Sequence, residues 1–305
     1  MRNAFARKVT ELASTNPRLV LLAGDIGNRL FDRFKEQSPN RFYNCGVAEA
    51  GMTGIAAGLA SCGLQPITYT ITPFNTIRCL EQIRLDVCYP DLPVIIVGTG
   101  SGLSYANLGA THHSMEDIGV LRMLPNMHVV CPADAMEVDS VMAAALELCK
   151  PIYIRLGKKG EQKVHNEPPS LVIGKGLEVM SGKDLALLSV GNMLPVVIEC
   201  AELLKEHGIN SRVISWHTIK PMDESLLHEL FESFSRIVTI EEHGMAGGAG
   251  SSILEWGSEK RVDLRKLSCF AGLDRFMSAC GNQQQVRESL GLTAQQLVPR
   301  LLELF

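Results

Sequence analysis

No two cysteines of this 305-residue chain form a CxxC pair, although nine are present, at positions 45, 62, 79, 88, 131, 149, 200, 269 and 280. Their spacing fits neither zinc ligation nor a disulfide framework. Settings such as VVCPAD and LDVC (Leu85–Cys88) make them small core residues, as expected in a reducing, cytoplasmic compartment. No apolar run approaches the ~20 residues of a membrane span. Met1–Leu12 is too polar and charged for a secretion signal. Neither charge sign dominates: the formal net charge is −4, which gives no footprint for nucleic acid or an anionic membrane. What remains is an ordinary globular composition, 46% hydrophobic and 20% charged, on a chain long enough for two domains.

Apolar strands alternate with helical patterns, which predicts parallel α/β layers. Strands are expected at Leu19–Ala23, Gln65–Thr70, Pro93–Val97, Met127–Cys131 and Pro151–Leu156, with a helix over Thr76–Val87. PADAMEVDS opens another helix, with Asp134 and Glu137 spaced as a capping box. Gly157–Ser170 is polar and reads as an interdomain linker. The pattern then restarts with strands at Asp184–Val190, Arg212–Trp216 and Arg236–Ile240 and helices at Pro195–His207 and Glu224–Phe234. EEHGMAGGAGSS follows as a loop entering a helix. It lacks both GxGxxG and GxxxxGK[ST], so the dinucleotide and phosphate-loop readings are discarded.

The stretch NCGVAEAGMTGIAAGLAS (Asn44–Ser61) carries the strongest chemical signal. It reads as a helix of Gly, Ala and aliphatic residues with a single carboxylate, Glu49, near its start. A carboxylate in dry surroundings either shifts its pKa upward or finds a partner. Kept neutral, it could donate a hydrogen bond to a ring nitrogen, as an aminopyrimidine cofactor would require. The alternative is a Glu compensating the helix dipole. Ligands of open α/β sheets bind at strand C-termini, where three further loops fall. GDIGN (Gly24–Asn28) offers the carboxylate of Asp25, or a plain turn. TITPFNTIR (Thr70–Arg78) brings Phe74 to a helix start, as core residue or stacking platform. GSGLSYANLGATHHSMED (Gly100–Asp117) carries the pair His112–His113. Adjacent histidines cannot ligate one metal from one helix face, and no HxxxH or HExxH spacing occurs. One histidine reaching into a polar pocket is the functional reading; a surface pair is the other.

GVAEAGMTGIAAGLAS, TPFNTIRCLEQIR, GATHHSMEDIGVLRMLPNMHVVCPAD, PIYIRLGK and TIEEHGMAGGAG occur in the order and spacing of transketolase-like enzymes. The chain thus resembles the C-terminal half of these thiamine diphosphate (ThDP) enzymes, over essentially its full length, and most resembles the separate C-terminal subunit of a split transketolase. The resemblance implies a two-domain α/β fold: a pyrimidine-binding domain with a parallel sheet over 1–160, a linker over 161–180, and a transketolase C-terminal-type α/β domain over 181–305. It assigns Glu49 to the cofactor's pyrimidine N1′, where proton sharing favours the imino tautomer that deprotonates the thiazolium. It assigns Phe74 to packing on the pyrimidine and His112 to the donor sugar's hydroxyls. Asp25 falls near the cofactor and the subunit interface. Lys158 falls where related enzymes place an Arg for a substrate phosphate, and it supplies a point charge without the fork. The implied activity is transfer of a two-carbon ketol unit from a ketose to an aldehyde. Dispersed similarity leaves open a 2-oxoacid dehydrogenase E1β-like or deoxyxylulose phosphate synthase-like subunit, and a non-catalytic partner subunit.

Where transketolases commonly read GEDGPTH or GEDGATH, this chain reads ANLGATH. Leu108 therefore replaces the acidic residue that meets the acceptor's C2 hydroxyl, and an apolar side chain leaves that hydroxyl unpaired. Ile71 and Leu80 stand where aromatics are frequent, which suggests a more aliphatic pyrimidine pocket. The position after THH is Ser, with no clear consequence. The family's GDG…N motif, which holds the diphosphate and its divalent cation (Mg2+ or Ca2+), is missing. The resemblance therefore implies a separate N-terminal subunit supplying that half of the site in an α2β2 heterotetramer. Alone, the chain is expected to associate with itself through pyrimidine-domain helices.

Overall fold

The computed structural model describes residues 1–305 except Asn28, Lys159, Ala279 and Cys280. Asn28 of the GDIGN loop and Cys280 thus lie outside the described residues. The strands β1 (Leu19–Ala23), β3 (Gln65–Ile71), β4 (Ile95–Thr99) and β6 (Ile152–Leu156) are buried at every position, including β3, whose sequence QPITYTI alternates apolar residues with Thr. Burial without alternation marks strands covered on both faces, the habit of parallel sheets. With β2 (Phe42–Asn44) and β5 (His128–Val130) they form one sheet. Two further strands, β7 (Leu177–Met180) and β8 (Leu185–Ser189), open a second sheet, which β9 (Ser211–Ser215) continues. The next strand, β10 (Thr218–Lys220), returns to the first sheet, whereas β11 (Ile237–Gly244) and β12 (Leu267–Gly272) complete the second.

The first sheet has the order β10-β5-β6-β4-β3-β1-β2, and only β10 is antiparallel. The second has the order β12-β11-β8-β9-β7, with β7 antiparallel to β9. β10 stitches the halves together by donating an edge strand from the second half to the first sheet. One continuous apolar cluster also runs from Val20 and Tyr153 under the first sheet to Ala186, Trp216 and Trp256 in the second half.

Several elements differ from expectation. Helical periodicity over Thr76–Val87 becomes a broken path: a 3-10 turn at Ile77–Cys79, a helical turn at Leu80–Gln82 and a π-helix at Ile83–Cys88. β7 begins inside the stretch read as linker. β11 runs four residues beyond Ile240, so Glu241, Glu242 and His243 lie in a strand and are fully buried. At Asp134 half of the capping box forms. The Asp134 carboxylate accepts from the Met136 and Glu137 amides, but Glu137 turns to the Ala133 amide at 2.7 Å instead of reciprocating. No helix among the described residues is long and apolar enough to cross a membrane.

Candidate functional site

β1, β3, β4 and β6 are parallel neighbours, so the loops leaving their C-terminal ends converge on one edge, as does the helix Glu49–Ser61 that follows β2. That edge is where open α/β sheets bind ligands. Two glycines set its spacing. A Cβ on Gly24 would stand 2.9 Å from Thr70 Cβ and 3.4 Å from Glu49 Cγ, so glycine lets β1, β3 and Glu49 close together. Gly100 has φ +75°, and a Cβ there would fall within 1.9 Å of the Tyr105 ring. Only glycine combines that conformation with a ring packed against it.

Glu49, the first residue of its helix, is 2% exposed. Of the two outcomes open to a dry carboxylate, it has found a partner: Arg78 Nη1 donates to Oε2 at 2.9 Å. The same guanidinium lies over the Phe74 ring, 4.2 Å from its centroid, a cation–π stack. Phe74 in turn meets the His112 imidazole edge-on at 5.2 Å between centroids. Tyr105 flanks His112 at 5.7 Å, and Lys158 Nζ sits 4.1 Å above the Tyr105 ring. Glu49, Phe74, His112 and Lys158, far apart in sequence, therefore form one continuous line of contacts through Arg78 and Tyr105.

Burial, chiefly, pushes the His112 pKa down, and His113 and Lys158 push the same way. The ring is therefore neutral at neutral pH. Thr111 Oγ1 stands 2.9 Å from Nδ1; when that hydroxyl donates, Nε2 carries the proton. His113 is buried and turns Nε2 to the Ala106 carbonyl at 3.3 Å. The histidine pair is thus split between the site and the interior.

The other candidates are placed less centrally. Asp25 is exposed at φ +54°. Its Oδ1 accepts from Asn44 Nδ2 at 2.9 Å, and its amide donates to Asn44 Oδ1 at 3.2 Å. Leu108 sits on the 3-10 segment Ala106–Thr111 and is 42% exposed. Ile71 ends β3 and is buried, while Leu80 packs on the central core.

Beneath His112 lies a buried network that the motifs did not reveal. Asp117 accepts from Tyr153 Oη at 2.6 Å and from Arg155 Nε at 2.7 Å. Arg155 Nη2 also donates to the carbonyls of Ser114 and Glu242, each at 3.0 Å. One guanidinium thereby ties the His112 loop to β6 and to β11 of the second half. The nearby arginine and hydrogen bonds hold the Asp117 carboxyl below its usual range, although burial opposes them. Glu242 accepts from the Leu103 amide at 2.7 Å and pairs with Arg287. Glu241 accepts from the amides of Ala249 and Gly250 at 2.8 and 2.9 Å. The start of that glycine-rich helix is therefore capped by the chain's own carboxylate, a physical reason why it is not a phosphate loop. A signal for the network was available: a lone Arg155 inside the apolar run IYIRL needs a buried acid.

Among the described residues no group of three His, Cys, Asp or Glu could hold a metal ion. A flat aminopyrimidine does suit the donor set, because a buried carboxylate stands beside an aromatic face.

The chain is thus two α/β halves with a buried helix-start carboxylate, joined through Arg78 to an aromatic ring, at the first sheet's C-terminal edge. The transketolase pyrimidine-binding domain matches residues 1–161, and the transketolase C-terminal domain matches residues 174–297. An apulose-4-phosphate transketolase subunit of Phocaeicola vulgatus is 32% identical over 304 residues, 99% of this chain and 96% of that one. The 6-deoxy-6-sulfo-D-fructose transketolase subunit of a Clostridium species is 33% identical over 300 residues, 98% and 92% of the two chains. A solved split-gene transketolase, described as an inactive beta4 tetramer, superposes with a TM-score of 0.88 at 33% identity, covering 99% and 96%. The chain belongs to the transketolase family.

Proposed function

We propose that this chain is the C-terminal subunit of a two-chain, ThDP-dependent transketolase that moves a two-carbon ketol unit from a ketose to an aldehyde. The observation that carries the reading is the 2%-exposed Glu49 carboxylate, joined through Arg78 to Phe74 and from there to His112. Glu49 and Phe74 hold the pyrimidine, with Asp25 at the rim toward the partner. When bound, ThDP supplies the carbanion chemistry that breaks and forms carbon–carbon bonds next to a carbonyl. Glu49 holds or shares the proton at the pyrimidine's N1′. Neutral His112 orients and exchanges protons with donor hydroxyls, and Lys158 gives the substrate's anionic end a counter-charge. The substrates in the two relatives' names carry a phosphate or a sulfo group, which suits a point charge.

The diphosphate and its divalent cation (Mg2+ or Ca2+) belong in this reading to a separate N-terminal subunit carrying GDG…N, in an α2β2 assembly. The helix Glu49–Ser61 supports a close partner. Ile55 is half exposed, and a Cβ added at Gly51, Gly54 or Gly58 would meet nothing within 4 Å. Backbones can approach closely on such a face. Without its partner the chain is expected to associate with itself there.

The test is a search of the adjacent reading frames for a chain carrying GDG…N, followed by co-purification with it. Calorimetry should find ThDP binding in the complex and in neither chain alone, with ketol transfer between sugar substrates. Decarboxylation of pyruvate without ketol transfer would overturn the assignment. Leu108 further implies that the acceptor is not a standard 2-hydroxyaldehyde phosphate, or is bound differently. An acceptor panel in which ribose 5-phosphate is preferred would remove that implication.

A further inference from the structure

Arg78 makes two contacts that a bound aminopyrimidine would need for itself. Its Nη1 donates to Glu49 Oε2, and its guanidinium plane covers the Phe74 face at 4.2 Å. A guanidinium is flat, delocalised and rich in N–H donors, so it satisfies a carboxylate and an aromatic face together. An aminopyrimidine is likewise flat and nitrogen-rich. The Phe74 face that Arg78 covers has room for only one of the two, and a ring taking that face displaces the guanidinium and with it the bond to Glu49 Oε2.

We propose that Arg78 occupies the pyrimidine position while cofactor is absent and is exchanged for the ring when cofactor binds, which makes it the residue that sets the site's affinity and selectivity. The proposal rests on the ThDP reading above. Two features make Arg78 the member that moves. Its side chain is 45% exposed, against 2% for Glu49. It also sits on the 3-10 turn Ile77–Cys79, where the helical path is interrupted after Thr76 at φ −123°, ψ −84°. Removing it without replacement would leave a buried carboxylate uncompensated, which is strongly unfavourable. The exchange is therefore one for one and takes up one proton from solvent, because the ring nitrogen accepts where Arg78 donated and the proton must lie between it and Glu49: a ligand enters only if it both stacks on Phe74 and bonds to Glu49. Flat rings that lack such a nitrogen are refused.

The experiment is calorimetric titration of ThDP into the reconstituted complex with its divalent cation, comparing wild type with Arg78→Met. That variant keeps the side chain's reach but loses its charge and donors. The dissociation constant is expected to fall by about tenfold, the worth of one charge-assisted hydrogen bond no longer broken on binding. Arg78→Ala is the second variant: methylguanidinium should refill its vacated position and weaken ThDP binding there, but not in wild type. An unchanged or raised constant in Arg78→Met, or no competition in Arg78→Ala, overturns the proposal while the functional reading stands. A wild-type complex that binds no ThDP removes both.

Discussion

Arg155 and Asp117 form an ion pair with side chains 2% and 0% exposed, Nε to Oδ2 at 2.7 Å. The pair lies where the His112 loop, β6 and β11 meet. Burying two charges is tolerable only when further hydrogen bonds support them, and Arg155 spends its Nη2 on the Ser114 and Glu242 carbonyls. Breaking the pair from either side should therefore cost about 3–5 kcal/mol. Asp117→Asn and Arg155→Met are each expected to lower the urea midpoint, and the double variant should lose less than the sum of the two. Additive losses would show that the pair is not a unit.

Glu49→Gln separates the carboxylate's chemical role from its shape. The amide still fills the site, so the chain should fold and join its partner. Ketol transfer by the complex should fall by roughly 10²–10⁴-fold, the usual worth of a positioned proton-transfer group. Retained activity would favour a non-catalytic subunit. Size-exclusion chromatography beside the rate assay tells a lost assembly from lost chemistry.

How much of this was legible beforehand depended on how local each signal was. Leu19–Ala23 and Ile152–Leu156 are contiguous apolar runs, and such runs announce strands buried on both faces. β2, β7 and β10 are three or four residues long, FYN, LEVM and TIK, too short to show a period. The extension of β11 over Glu241, Glu242 and His243 was hidden because charges read as loop. Glu242 finds its partners on other segments, the Leu103 amide and the Arg287 side chain, and Glu241 folds onto the Ala249 and Gly250 amides of the helix start that follows it. Site residues followed the same division. Glu49 stood out against its own apolar helix, whereas its partner Arg78 lies 29 residues on and carries no local mark.

His112 should titrate below the usual histidine value of 6.5. NMR of the imidazole protons in the chain gives the midpoint directly. Burial is the largest cause, followed by His113 and Lys158. Lys158→Met should consequently raise the midpoint only part of the way. A full return to the usual value would make charge, not burial, the controlling influence. The same variant should raise KM for anionic substrates more than for neutral ones, since the lost group is a counter-charge.

His165 and Glu137 predict a pH dependence of stability. His165 Nε2 lies 3.1 Å from Glu137 Oε1, and that hydrogen bond, ahead of the opposing burial, raises the His165 pKa. A histidine whose folded pKa exceeds its unfolded one adds stability in full below the unfolded pKa, and the gain is lost as pH rises through the folded pKa. Wild type should therefore melt higher than His165→Gln at about pH 6, with the gap closing by about pH 8.5. The half-buried position is screened by solvent, so the gap corresponds to no more than about 1 kcal/mol. Two other links hold the same segment in place, the Val164 and His165 amides donating to Asp134 Oδ2 at 2.9 and 2.8 Å. Thermal melts across that range decide the matter: a gap that widens toward alkaline pH would mean that the neutral imidazole is the form the fold prefers.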